Sequence, residues 1–187
     1  MSGLMKIISR IRDRIRLFFQ RREFSQRKRS KKLYALEDAK SIGVIFHAVH
    51  PPDYNAVDDL ISKLCKEGKK MVSVGLVPHR NKPEHLVPKL NMHFFCPDDF
   101  SWNLKIKKQA IQQFVDEPFD ILLDLTPSSL FFAKYLAGLS NARFKVGPYR
   151  ADQTDFYDLM IEKKAEATLQ EYIKHCLHYL QILKKPA

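Results

Sequence analysis

The chain has 187 residues, 45% of them hydrophobic, with 13 Phe, 7 Tyr and a formal net charge of +11. That apolar content is enough for a buried core and excludes a globally disordered chain. Three cysteines, odd in number, widely spaced and without a CxxC pair, exclude a disulfide framework and a cysteine zinc site, and suit small hydrophobes in a reducing compartment.

The charge is unevenly placed. Residues 1–32 hold twelve Lys/Arg against two acids, net +10, while the remainder holds 20 basic and 19 acidic residues, net +1. A nearly neutral body carrying a basic arm implies a polyanionic partner, either an anionic membrane surface or RNA. Residues 4–24 predict one helix. Leu4, Ile7, Ile8, Ile11, Ile15, Phe18 and Phe19 recur at three- and four-residue steps and form a stripe about 120° wide. Arg10, Arg12, Arg14, Arg16 and Arg21 fall outside it, and Arg22, Arg27, Lys28 and Arg29 follow. This pattern suits an interfacial membrane helix anchored by Ile11, Ile15 and Phe18. It also suits a helix docked on its own domain, or a nucleic-acid arm without DNA sequence readout. No run approaches the ~20 apolar residues of a spanning helix. Arginines interrupt any apolar region of a secretory leader, although a mitochondrial presequence would share the Arg-rich character. A cytoplasmic chain, at most lying on the inner membrane face, is the expectation. Residues 25–32 predict a polar basic link without an apolar anchor.

The body begins near Ser41. Residues 42–46 predict a first strand, followed by the loop His47-Ala48-Val49-His50-Pro51-Pro52. Asp53 is placed to cap a helix over 54–67, which Gly68 closes. Residues 71–77 predict a second strand, completing a parallel βαβ unit. Residues 92–96 predict a short strand near a sheet edge. Trp102, beside Phe100, predicts a tucked loop anchor, with an exposed aromatic platform as the alternative. A helix is expected over 104–116. The stretch 119–125 (Phe-Asp-Ile-Leu-Leu-Asp-Leu) is bounded by Pro118 and Thr126-Pro127, and reads as a central strand buried on both faces. Thr126 and Pro127 then open an almost wholly apolar helix over 128–139. Strands over 142–147 and 157–161 and a closing helix over 164–183 complete the chain. The expected fold is a three-layer, Rossmann-like α/β domain over residues 41–187, with an open, mostly parallel sheet of six strands ordered 3-2-1-4-5-6. Residues 1–40 form the basic arm and linker.

Such sheets bind ligands where the strand order reverses, here between the first and fourth strands. His47, His50, Asp124, Thr126, Ser128 and Ser129 would line that crevice, and a helix start after Thr126 would hold an anion. The first loop has no glycine-rich phosphate motif, and its two prolines remove backbone donors. His47 and His50 with Asp53, or His175 and His178, make incomplete metal sets, so no metal or cofactor is expected. No nucleophile–base arrangement of known spacing is present.

Residues 119–125, the helix through Gly138 and Ala142-Arg143-Phe144-Lys145-Val146-Gly147 resemble a segment of the lipopolysaccharide heptosyltransferases. There a buried strand ending in Asp-Leu precedes an apolar helix and an Ala-Arg/Lys-x-x-x-Gly strand. The resemblance implies a Rossmann-like fold and carries no catalytic residue onto this chain. Over residues 5–183 the chain is similar to an uncharacterised family of small bacterial proteins. Their shared features are a basic N-terminal helix, Lys40-Ser41-Ile42-Gly43-Val44, the 119–125 strand, Phe144-Lys145-Val146-Gly147 and Tyr157-Asp158-Leu159-Met160-Ile161. That resemblance implies the fold and a bacterial cytoplasmic setting. The functional expectation is a non-enzymatic binding or adaptor protein held at an anionic membrane surface by its arm. The alternatives are an RNA- or ribosome-associated protein using the same arm, and an enzyme acting on a small nucleotide- or sugar-related ligand at the crevice.

Overall fold

A computed structural model describes residues 24, 29–78, 86, 89–127, 130–149, 157–164 and 166–183. Its sheet contains β1 (Ser41–His47), β2 (Lys70–Leu76), β3 (Met92–Phe95), β4 (Ile121–Asp124), β5 (Phe144–Pro148) and β6 (Leu159–Ile161). All neighbouring strands pair in parallel, in the order β3-β2-β1-β4-β5-β6. This is the expected α/β fold and strand order. The helices are α1 (Pro51–Lys66), α2 (Gln109–Asp116), α3 (Phe131–Leu139) and α4 (Leu169–Ile182).

Residues 42–46 of β1 and all four residues of β4 are buried, because helices cover both faces of the sheet. On one face, Ile42, Val44, Phe46, Ile121 and Leu123 meet α1 and α4. On the other, Ile45, Val74 and Leu122 meet α2 and α3. The nearly all-apolar α3 is buried as its composition implies, with Ala133 and residues 135–139 all inaccessible. Gly43 is required within β1, since a Cβ there would lie 2.7 Å from the Phe119 ring.

Several boundaries differ from expectation for identifiable reasons. Helix α1 starts at Pro51 rather than after Asp53; its N-cap is His50, without a side-chain cap bond. Two prolines have the fixed φ and missing N–H that a first helical turn tolerates, so the helix starts earlier and Asp53 becomes a first-turn residue. Helix α2 starts only at Gln109, because residues 100–106 fold into a small hairpin. Phe100 and Ile106 form an antiparallel bridge there, and Leu104 has φ 66°. Helix α4 starts at Leu169, where Thr168 and Glu171 form a reciprocal capping box.

The segment before β1 lies against the domain. Tyr34, Leu36 and Ala39 belong to the core on the α1/α4 face. The Leu36 N–H donates to the Leu180 carbonyl at 2.9 Å, and Lys69 Nζ donates to the Leu36 and Ala39 carbonyls at 2.7 and 2.9 Å. Asp120 fixes the start of the sheet. Its carboxylate accepts from the Lys40 and Ser41 N–H groups at 2.8 and 3.1 Å and from Arg143 at 3.1 Å. Burial pushes the Asp120 carboxyl up, but those two N–H groups, the Tyr34 hydroxyl and Arg143 together hold it below its ordinary value of 3.8. A carboxyl depressed on folding stabilises the protein above its unfolded pKa and loses that contribution as pH falls through the lower, folded pKa. Asp120→Asn should therefore cost about 2 kcal/mol at neutral pH, set by the loss of charge-assisted hydrogen bonds. In urea titrations the gap between wild type and variant should close as the pH is taken below 3.8. A gap independent of pH would remove the ionised carboxylate from this role.

Candidate functional site

The strand order reverses between β1 and β4, so their carboxyl ends frame the position where open α/β sheets take ligands. Asp124, the last residue of β4, is only 1% exposed. Its Oδ1 accepts from the Thr126 N–H at 2.9 Å and the Thr126 hydroxyl at 2.6 Å. Its Oδ2 accepts from the Tyr157 hydroxyl. Gly147 makes that last contact possible. A Cβ there would come within 2.4 Å of the Tyr157 ring, so only glycine lets the ring cross β5 to reach β4. Both carboxylate oxygens thus accept hydrogen bonds from within the protein. The arrangement locks the end of β4 to the chain entering β6.

Thr126, expected to cap the following helix, is buried and bonded back to Asp124. Helix α3 begins later, at Phe131, with Leu130 at its N-cap and no side-chain cap bond. Ser128 and Ser129 lie outside the described residues. His47, the last residue of β1, is half-buried, and His50 is exposed, with the two rings edge to face at 6.3 Å. Burial first, and then the His50 charge, push His47 below its ordinary 6.5, against a smaller upward pull from Asp53. Pro51 and Pro52 occupy the first turn of α1 and offer no N–H to an anion. Among the described residues, no three His, Cys, Asp or Glu side chains gather as a metal site. The Cys176 thiol is pushed up to about 12, chiefly by burial, and is not a nucleophile at neutral pH.

An open depression of ≈ 560 Å³ lies elsewhere, beside the start of α4, lined by Lys164, Glu166, Ala167, Glu171 and His175. Glu171 there accepts from the Thr168 N–H and hydroxyl, which hold its carboxyl below the ordinary value. The depression is shallow, and its carboxylate already caps α4.

Of the cations expected to contact a polyanion, Arg10, Arg12, Arg14, Arg16, Arg21, Arg22, Arg27 and Lys28 lie outside the described residues, as do Ile11, Ile15 and Phe18. Arg29 is described, and it is corrected. Its guanidinium pairs with Asp158 through two bonds of 2.7 Å and donates to the Arg143 carbonyl at 2.9 Å, with its side chain 8% exposed. This positive charge is paired with Asp158. Asp158 also accepts from the Lys145 N–H at 2.8 Å, so Arg29 is tied to β5. Lys145 itself is buried in β5, and its Nζ donates at 3.0 Å to the Gly138 carbonyl near the carboxyl end of α3, where the helix dipole favours a cation. Phe24, which is helical, fills the space over Gly138 and stacks on Tyr135 at 6.0 Å; a Cβ on Gly138 would lie 1.9 Å from its ring.

A family model for a family of unknown function, DUF6913, matches residues 12–183, which takes in the whole sheet, all four helices and most of the basic arm. The chain belongs to this family. Its match begins within the arm, so the arm and the α/β body form one family unit. No curated protein and no solved structure matches the chain. Among the described residues, no helix of this family member is long and apolar enough to cross a membrane.

Sequence reasoning placed Asp124, Thr126 and His47 at the strand ends but missed Tyr157, Asp158 and Gly138. Only glycines facing aromatics distant in sequence, Gly147 under Tyr157 and Gly138 under Phe24, hinted at those contacts. Two outcomes follow from the geometry. Tyr157→Phe should lower stability by about 2 kcal/mol in urea unfolding, because a buried carboxylate loses a donor; an unchanged midpoint would show that the Tyr157 hydroxyl does not hold Asp124. In an NMR titration His47 should change charge below 6.5, and His50→Ala should move its midpoint upward. A downward move would contradict the assigned cause.

Proposed function

We propose that the protein is a non-enzymatic binding or adaptor protein attached peripherally to an anionic membrane surface through its basic N-terminal arm. The observation that carries this reading is the coincidence of charge and apolar area in one stretch. Residues 1–28 hold nine Lys/Arg against two acids, net +7, and the same residues contain Leu4, Ile7, Ile8, Ile11, Ile15, Phe18 and Phe19. Lasting attachment to a bilayer surface needs two signals, and this stretch offers both. Each Lys or Arg near an anionic leaflet contributes about 1 kcal/mol at physiological salt. The root of the arm supports the reading as well. Phe24 on Gly138 and Arg29 on Asp158 join the arm firmly to the body. Against catalysis at the strand ends stands Asp124, buried and accepting hydrogen bonds on both oxygens.

Co-sedimentation of the full chain with nuclease treatment tests this. The protein should pellet with vesicles containing phosphatidylserine and remain in solution with phosphatidylcholine alone. Ile11→Asp combined with Phe18→Asp should abolish pelleting. Arg29→Gln should leave lipid binding intact while lowering stability by about 1.5 kcal/mol, since it removes charge-assisted hydrogen bonds to Asp158. A protein that ignores both vesicle types and purifies with RNA until nuclease is added would replace this reading with the ribonucleoprotein one.

A further inference from the structure

The hairpin between β3 and α2 carries Trp102, the single tryptophan of the chain, at its tip. Its indole is 78% exposed, although the sequence suggested a tucked anchor. The exposure does not come from a loose loop. The Ser101 N–H donates to the Lys105 carbonyl, the Leu104 N–H to the Ser101 carbonyl and the Lys105 N–H to Ser101 Oγ, each at 2.9 Å. Phe100 and Ile106 bridge the base. Leu104 takes the left-handed conformation, with φ 66°, and its side chain is buried in the core on the α2/α3 face. A leucine held in that conformation implies that the surroundings impose the turn. The turn plugs Leu104 into the core and holds Trp102 out.

Lys105 and Lys107 are exposed on the same hairpin. Of the two nearby acids, Asp99 turns inward to accept from the Cys96 N–H, and Asp98 is exposed. The hairpin is also on the arm's side of the molecule. Phe100 at its base packs on Tyr135 of α3 at 6.1 Å, and Phe24 at the root of the arm stacks on the same Tyr135 at 6.0 Å. Phe100 further contacts Phe132 at 4.7 Å. One α3 side chain therefore separates the hairpin base from the arm root.

We infer that the Trp102 hairpin is a second contact with the anionic lipid surface, so that the α2/α3 face of the sheet is the face turned toward the bilayer. The inference rests on the membrane reading above and deepens it. An indole settles at the headgroup level, where its ring is in an apolar setting and its N–H remains wet. Lys105 reaches the phosphates beside it, while Lys107 Nζ donates to the Asp98 carbonyl at 3.2 Å. Bases could stack on the same ring, but the sequence of the arm joins its cations to an aliphatic stripe, which favours lipid.

Because Trp102 is the sole tryptophan, the full-length chain reports on itself. On adding vesicles containing phosphatidylserine, its emission should shift to the blue and its quenching by acrylamide should fall. Quenching by lipids brominated near the headgroup should appear. Trp102→Ala should weaken co-sedimentation about tenfold, by loss of buried aromatic area, with its circular dichroism unchanged. Pelleting with unaltered emission, together with a Trp102→Ala variant that binds equally well, would overturn the inference and leave the arm as the only anchor. A spectral response to a single-stranded RNA oligonucleotide and not to vesicles would overturn it in favour of base stacking. Absence of pelleting in the wild type would remove the membrane reading and this inference together.

Discussion

Asp120 joins the parts of this domain that sequence order keeps apart. Its carboxylate holds the Lys40 and Ser41 N–H groups that open β1, and it meets Arg143 just before β5. Its own N–H donates to the Ser41 carbonyl at 3.0 Å, and Arg143 also donates to the Tyr34 hydroxyl at 3.0 Å. The three central strands thus start from one charged centre at the amino end of the sheet. A parallel sheet needs some such device, because its strands are not joined by short hairpins and their first N–H groups would otherwise lack partners. Once the strand starts are fixed, the register of β1 on β4 follows, with Ile42 beside Ile121 and Ile45 beside Asp124.

At the opposite end of β4, a second aspartate does different work. Asp124 faces inward and ties Thr126 and Tyr157 together, across a β5 that Gly147 keeps low. Topologically this is where open α/β sheets take ligands. Pro51 and Pro52 take donors from the start of α1, and Thr126 turns back to the strand. Among the described residues of that crevice, Asp124, Thr126 and Tyr157 are bonded to one another. Trp102 and the exposed lysines of its hairpin are on the α2/α3 side.

The fold was legible because its signals are local. Strands buried on both faces are written as unbroken apolar runs, and β1 and β4 were read from such runs directly. The parallel βαβ unit and the short strand 92–96 near an edge were consistent with the order found. Helix starts were less legible because single residues overrode periodicity. Two prolines moved α1 forward, and the left-handed Leu104 delayed α2. In the candidate site, His47, Asp124 and Thr126 were legible from their places at strand ends. Tyr157 was not, since its role depends on a ring passing over Gly147, 33 residues after Asp124. Arg29 was read as one cation among many because composition does not distinguish a guanidinium in solvent from one held by Asp158.

The outermost strands are short. β3 has four residues and β6 three, and Pro97 stands two residues after the end of β3. A sheet rim exposes unpaired N–H and C=O groups that can recruit a foreign strand. Here each rim offers too few to template one, while the long apolar strands β1 and β2 lie inside. At high local concentration, long open rims would make a chain prone to stack edge to edge. Brief rims allow many copies to crowd together without polymerising.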